Sequence, residues 1–224
     1  MFTGFATDTI EFMRGLRVHN NKEWFQENKV RFEEFYHTPM KALAQEVFEE
    51  LRSMFPDYGL KYKVSRIYKD ARRIRGGDPY RINMWFSIEK PSEDWTAAPV
   101  FWFDIGPESW SYGLGFYQAK PMTLAKLRAR IDKDPTQFEK LFAAFEAQQE
   151  FELDGEEYKR KKTAPTEYAE KWYNRKSISL AHYQATGAEV FSADLKKRLL
   201  AGYQFLMPYY DYFVGLDNDP DPTE

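Results

Sequence analysis

The sequence predicts an α+β fold in a single domain, with a mainly antiparallel central sheet packed by helices from the N- and C-terminal ends. Three observations predict it. Apolar residues recur at helical spacing over the first third of the chain and again after Pro121. Between Tyr62 and Tyr117 the apolar period shifts towards two, the repeat of a strand with one buried face. The strands fall in one group between blocks of helix, which argues against alternating β-α-β units. At 224 residues the chain corresponds to roughly one domain, taking about 150 residues for each. It is expected to fold over residues 1–216, with 217–224 as a disordered acidic tail.

Each element has its own local signal. Thr7 or Asp8 can cap a first helix carrying Ile10, Phe12, Met13 and Leu16. Asn20 or Asn21 can cap a second, in which Trp24, Phe25, Phe32 and Phe35 or Tyr36 recur near helical spacing. Pro39 suits the first turn of a third helix with Leu43, Val47 and Leu51 as its stripe, ended by Pro56 and Gly59. From Tyr62, one strand face would carry Val64, Arg66, Tyr68 and Asp70. After the turn at Gly76-Gly77-Asp78-Pro79 comes a strand with Ile82, Met84, Phe86 and Ile88 on one side. Residues 100–105 and 110–117 read as a hairpin around Gly106-Pro107-Glu108-Ser109. The first of its strands is apolar on both faces, as a central strand would be. Leu124, Leu127 and Ile131 mark one further helix, and Phe138, Leu141, Phe142 and Phe145 another that starts at Asp134-Pro135. A polar, β-containing excursion around Asp154-Gly155, a short helix from Pro165, a strand over Ser177 to Tyr183 and a last helix over 192–206 complete the chain. Pro208 is expected to break or kink that last helix.

Composition excludes several classes. Aromatic residues make up 18% of the chain, which marks a globular sequence rather than a disordered one. There is no cysteine, so disulfides, zinc-thiolate sites and thiol nucleophiles are excluded and a cytoplasmic location is favoured. The start Met1-Phe2-Thr3-Gly4-Phe5 has neither the basic nor the apolar region of a signal peptide. The longest apolar run, Ala97 to Phe103, is too short to cross a bilayer. A net charge of −3 argues against a general affinity for nucleic acid.

Against that acidic background, one stretch reverses sign. Lys61, Lys63, Arg66, Lys69, Arg72, Arg73, Arg75 and Arg81 face only Asp70 and Asp78. Arg66, Asp70 and Arg72 would share the strand face of Val64 and Tyr68, so they are expected to be partly buried and therefore paired. Asp70 between arginines would stay ionised and hold their planar forks in place. Two readings follow. One is an ion-pair cluster that pins the fold together. The other is a pocket for a phosphate or carboxylate with Asp70 orienting its arginines. A nucleic-acid groove using Tyr62, Tyr68 and Tyr80 as stacking platforms is a weaker variant, and the overall acidity argues against it.

Arg66-x-x-Lys69-Asp70-x-Arg72 followed by Pro79-Tyr80-Arg81-x-Asn83 resembles the signature of an uncharacterised bacterial family, domain of unknown function number 2461, which shows R-x-x-R-D-x-R-F and then D-K-x-P-Y-K-x-N. Gly4-Phe5, Asn20-Asn21-Lys22-Glu23-Trp24-Phe25, Asn28-Lys29, Pro39, and Gly115-Phe116-Tyr117 leading to Pro121-x-x-Leu124 are similar to it as well, so the resemblance covers essentially the whole chain. It implies a single α+β domain and draws attention to Arg66, Asp70, Arg72, Tyr80, Arg81 and Asn83; it brings no established activity. Three departures stand out: Lys69 replaces an arginine, Arg73 a phenylalanine, and Gly76-Gly77 an Asp-Lys pair. Any chemistry that depended on that pair would be missing here.

Other candidates are weaker. Asn21, Lys22 and Trp24 read first as a helix cap with core aromatics and second as a pocket wall. His19, His37 and His182 have no metal-ligand spacing, and His182 on an apolar face reads as a satisfied core histidine. Asp217-x-Asp219-x-Asp221 has Pro222 where a calcium loop needs glycine. Gly113-Leu114-Gly115 lacks the rest of a dinucleotide fingerprint, and there is no P-loop, so neither a cofactor nor a metal is expected. Glu89, Glu93, Asp94, Asp104 and Glu108 lie near the middle strands, but no spacing selects a pair for acid–base work. The run Glu156 to Lys162 reads as a solvated hairpin or loop, or else as a second basic edge of the pocket.

Two functional expectations stand side by side. The first is a small anionic ligand, phosphate or carboxylate, bound by Arg66, Lys69, Asp70, Arg72, Tyr80, Arg81 and Asn83, with catalysis left open because no nucleophile or base is evident. The second is a non-enzymatic structural or interaction module. In it the Arg/Asp cluster only holds the fold, and aromatic surfaces around Trp95, Trp110 or Tyr209-Tyr210 meet a protein partner.

Overall fold

Helix α1 spans Thr7–Val18 and buries Ile10, Phe12, Met13 and Leu16. Its cap is Ala6 rather than Thr7 or Asp8; the Thr9 hydroxyl accepts from the Ala6 N–H at 3.2 Å, doing from the third helical position what a capping side chain usually does. Asn21 caps α2 (Lys22–Glu27), its side chain accepting from the Trp24 N–H at 2.9 Å. The expected second helix does not run on smoothly. A single turn, α3 (Lys29–Arg31), passes into a π-helical segment over Phe32–His37, which continues without a break into α4 (Thr38–Met54). A π turn leaves carbonyls out of the usual register, and the buried Thr9 hydroxyl donates to the one at Phe35. Gly59, at φ 60°, ends the short turn that follows α4, as glycine does where a left-handed conformation is needed.

This computed structural model describes residues 1–70, 77–92 and 97–222. Its sheet has six strands in the order β1-β2-β3-β4-β6-β5 and is antiparallel. The strands are β1 (Lys61–Val64), β2 (Met84–Glu89), β3 (Pro99–Ile105), β4 (Ser109–Phe116), β5 (Glu152–Asp154) and β6 (Ser179–Ala185). Strand β1 pairs with β2 in the register Lys61 to Glu89 and Val64 to Phe86, while β5 pairs with β6 from Glu152 opposite Ala181 to Asp154 opposite Ser179. Strand β3 occupies the interior position that its apolar composition implies. The remaining helices are α5 (Pro121–Lys133), α6 (Pro135–Glu146), α7 (Glu167–Tyr173) and α8 (Asp194–Val214).

The chain forms two compact units. The first comprises 1–90, 102–112 and 183–201; the second comprises 91–101, 113–182 and 202–224. In the first, α4 packs on β1 and β2. Phe12, Met13, Leu16, Tyr36, Leu43, Val47, Phe86 and Phe103 are wholly buried there. In the second, α5 packs on α6 and α7, and the core is aromatic: the Phe142 ring lies 4.3 Å from Trp172 and 5.0 Å from Tyr209.

Pro208 neither breaks nor ends α8, which continues to Val214. Tyr203, Met207, Tyr209, Tyr210 and Phe213 are all buried on either side of it, and that burial outweighs the hydrogen bond proline forfeits. The acidic end beyond Asp217 is held as far as Asp219, whose carboxylate accepts from Arg130 Nε at 2.6 Å. Among the described residues no helix is long and apolar enough to cross a membrane.

Candidate functional site

The basic stretch folds differently from the simple alternation its residues suggest. Strand β1 ends at Val64, and beyond it the inward side chains are Ser65 and Ile67. Arg66 and Tyr68 therefore point outward: Arg66 is exposed and Tyr68 is 54% exposed. This corrects the expectation that Arg66 lies on a partly buried face. Desolvation is the reason, since an apolar Ile67 gains from the interior what an arginine would lose there. Lys69 and Asp70 are half-buried, and Arg72, Arg73 and Arg75 lie outside the described residues.

The two halves of the Arg66–Asn83 segment then meet. The Lys69 N–H donates to the Pro79 carbonyl at 2.9 Å and the Arg81 N–H to the Ile67 carbonyl at 2.7 Å, so Tyr68 and Tyr80 stand opposite one another in an antiparallel bridge. A third stretch clamps this bridge. Asn20, expected only as a possible cap, accepts from the Tyr80 N–H at 2.9 Å and donates to the Tyr80 carbonyl at 3.0 Å. The Tyr80 ring is buried and stacks on Phe25 with centroids 4.3 Å apart, while Tyr68 meets Phe25 edge-on. A buried Tyr80 cannot serve as a base-stacking platform.

Three residues beyond Tyr80, Asn83 Nδ2 donates to Asp104 Oδ2 at 2.5 Å. Asp104 is the one charge in the otherwise apolar β3, and burial pushes its carboxyl up to about 6, against the opposing pull of the Asn83 hydrogen bond and the Arg81 charge. Tyr36, in the π-helical segment, is wholly buried and its hydroxyl has no hydrogen-bond partner. Burial and the negative charge of Asp104 push that hydroxyl well above its usual range. Tyr36 therefore feels the charge of Asp104, and Asp104 feels that of Arg81.

Of the carboxylates near the middle strands, Glu108 is exposed and forms a two-pronged pair with Arg17 at 2.7 and 2.5 Å. Glu89 is partly buried and pushed up by that burial. Glu93 and Asp94 lie outside the described residues. Among the described carboxylates of this group, Asp104 is the one hydrogen-bonded to the Arg66–Asn83 segment. The signal for it was available in the sequence, as a lone carboxylate in a central apolar strand is expensive unless something holds it. Asn20 and Tyr36 had no such signal, because each fits a helix pattern equally well.

The other expectations resolve simply. His182 is half-buried with Nδ1 at 2.8 Å from the Glu150 carbonyl oxygen. Trp110, Tyr209 and Tyr210 are buried, so they form no surface for a protein partner, and Trp95 lies outside the described residues. Two open surface depressions, one over Gln26, Lys29, Val30, Glu33, Glu34 and Thr38 and the other over Lys161, Glu167, Tyr168, Glu170 and Lys171, contain no residue of the basic segment.

The chain's sequence matches a family. Residues 8–212 fit the one described as conserved hypothetical protein (DUF2461), so the chain belongs to that family of unknown function. A search of curated proteins returned no match.

Proposed function

We propose that the chain binds a small anionic ligand, a phosphate or a carboxylate, at the segment from Arg66 to Asn83. Arg81 and Lys69 supply the positive charge, with Arg66 and Arg72 as further cations, Asp70 as their orienting partner, and Tyr80 and Asn83 shaping the floor. One observation carries the reading: among the described residues no carboxylate stands within 4.0 Å of the charged nitrogens of Arg66, Lys69 or Arg81. An ion-pair cluster that only pinned the fold would have used those cations up. Three positive charges with no carboxylate that close among the described residues repel one another within one short segment, and an anion relieves that cost.

A structural role for part of the signature has its own support. Asn20, Phe25 and Tyr80 form a hydrogen-bonded and stacked clamp that needs no ligand. The two roles divide the segment: Tyr80 fastens it, and the cations beside it bind.

The test is a melting curve with inorganic phosphate and, separately, with acetate. A ligand at about 100 times its Kd stabilises by about 2.7 kcal/mol. Wild type is expected to shift with at least one anion, and Arg81→Ala and Lys69→Ala to lose that shift while remaining folded. No shift with either anion, or an undiminished one in both variants, would overturn the reading.

A further inference from the structure

Tyr68 sits within the cationic segment with its ring open to water. It is 54% exposed and turns outward with Arg66, while Ser65 and Ile67 turn inward. A single exposed ring is ordinary, but this one is braced. It meets Phe25 edge-on at 5.9 Å and tilts against Tyr80 at 5.2 Å, and Tyr80 is itself stacked on Phe25. The backbone around it is held as well, by the Lys69 to Pro79 and Arg81 to Ile67 hydrogen bonds that frame the Tyr68–Tyr80 bridge. A ring fixed in this way and still more than half open loses little freedom when another group lies on it.

Resting on the anion-binding reading, we infer that Tyr68 is a stacking platform and that the anionic ligand carries a flat conjugated ring. The ring lies on the open side of Tyr68, and the anionic group reaches Arg66 and Lys69, two residues before the platform and one after it. The chemistry selects a planar group. An aromatic face makes full contact with another flat π system and less with a puckered or branched one. A guanidinium such as that of Arg66 also lies well against a flat ring. With a phosphate as the anion, the ligand class is a nucleoside monophosphate; with a carboxylate, it is an aryl carboxylate. The net charge of −3 favours a small free ligand over a strand of nucleic acid.

The experiment compares ligands that differ by the ring. Adenosine 5′-monophosphate is titrated against ribose 5-phosphate, and phenylacetate against acetate, each by calorimetry. Stacking on an aromatic side chain corresponds to about fivefold or more in Kd, so the ring-bearing member of one pair is expected to bind at least about fivefold tighter. The two pairs distinguish phosphate from carboxylate as the anionic group. Tyr68→Ala is expected to bring the preference to about one, and Tyr68→Trp, which keeps a flat ring, to preserve it. Equal binding of both members of each pair by wild type, or an undiminished preference in Tyr68→Ala, would overturn the platform and leave the anion reading standing. Absence of binding by all four compounds would overturn both. An oligothymidylate of about twelve nucleotides that bound more than about tenfold tighter than the mononucleotide would overturn the small ligand in favour of a single strand. Because the wild-type comparison decides the matter, a variant that fails to fold does not rescue the inference.

Discussion

Asn20 grips Tyr80 by both of its backbone polar groups, accepting from the N–H at 2.9 Å and donating to the carbonyl at 3.0 Å across a sequence separation of 60 residues. A side-chain amide has one donor side and one acceptor side, and in this pairing it mimics the edge of a neighbouring strand. It ties the loop between α1 and α2 to the basic segment at the point where Tyr80 is pressed on Phe25.

Asn20→Ala is therefore expected to cost about 2–3 kcal/mol, because it strands two buried backbone groups. Asn20→Asp keeps the acceptor and loses the donor, so its cost should fall between alanine and wild type. Urea unfolding at neutral pH measures both. A cost for alanine below about 0.5 kcal/mol, the usual scale of a surface change, would mean that the clamp is not needed to hold the segment.

Asp104 sets a pH dependence of unusual sign for an aspartate. Its folded value, about 6, lies above the ordinary 3.8, so the native state binds the proton more tightly than the unfolded chain does. Its contribution is favourable below the ordinary value and is lost as pH rises through the folded value. The full difference is about 3 kcal/mol at 1.36 kcal/mol per unit. Asp104→Asn should accordingly gain stability over wild type at pH 8 and lose most of that advantage at pH 4. Equal urea midpoints for the two proteins at pH 8 would show that the carboxylate is better solvated than its surroundings imply.

Tyr36→Phe removes a hydroxyl that has no partner, so without ligand the variant should be as stable as wild type or up to about 1 kcal/mol more stable. Tyr36→Ala, which empties a wholly buried ring site, should cost about 3–5 kcal/mol. A loss of more than 1 kcal/mol in the phenylalanine variant, measured by denaturant unfolding, would reveal a hydrogen bond at this hydroxyl in the free protein.

At the other end of the chain, Arg130 gathers three contacts: the Asp219 carboxylate at 2.6 Å, the Tyr212 carbonyl at 2.7 Å and the Tyr212 ring face at 4.9 Å. Arg130→Ala should cost about 1–3 kcal/mol, since the charged hydrogen bonds are partly shielded from water. A chain ending at Leu216 should lose the Asp219 share of that figure. Calorimetric melting of the two variants separates the shares.

Gly113 is a packing requirement. A Cβ at this position would lie 2.1 Å from the Leu180 carbonyl oxygen, and backbone cannot swing aside as a side chain can. Gly113→Ala is expected to cost about 3 kcal/mol or more, at the upper end of overpacking effects. Poor soluble yield with a lowered midpoint is the expected outcome; wild-type stability would mean that β6 moves away at little cost.

The residue pattern was sufficient for most of the architecture. Leu43, Val47 and Leu51 lie on one buried stripe, and Met84, Phe86 and Ile88 on one buried strand face, because helix and strand periods sort apolar side chains by local geometry alone. The largely apolar stretch over 100–105 marked β3 as an interior strand for the same reason. The alternation beyond Val64 was misleading, since it predicts a face but not which face turns inward. That choice went to Ile67 over Arg66 because burying an aliphatic chain is favourable and burying an arginine is not.

Residue pattern alone was enough for the fold class and the family, and it marked the segment from Arg66 to Asn83 as the reversal of charge in an acidic chain. Which residues stand against that segment is set by long-range packing. Asn20 and Asp104 come from a loop and a central strand, and nothing local brings them to Tyr80 or Asn83. Periodicity reports how each element turns its own faces, whereas the meeting of polar groups from distant elements depends on how those faces pack. A buried hydroxyl or carboxylate acquires its character from that packing, through the water it loses and the partners it finds.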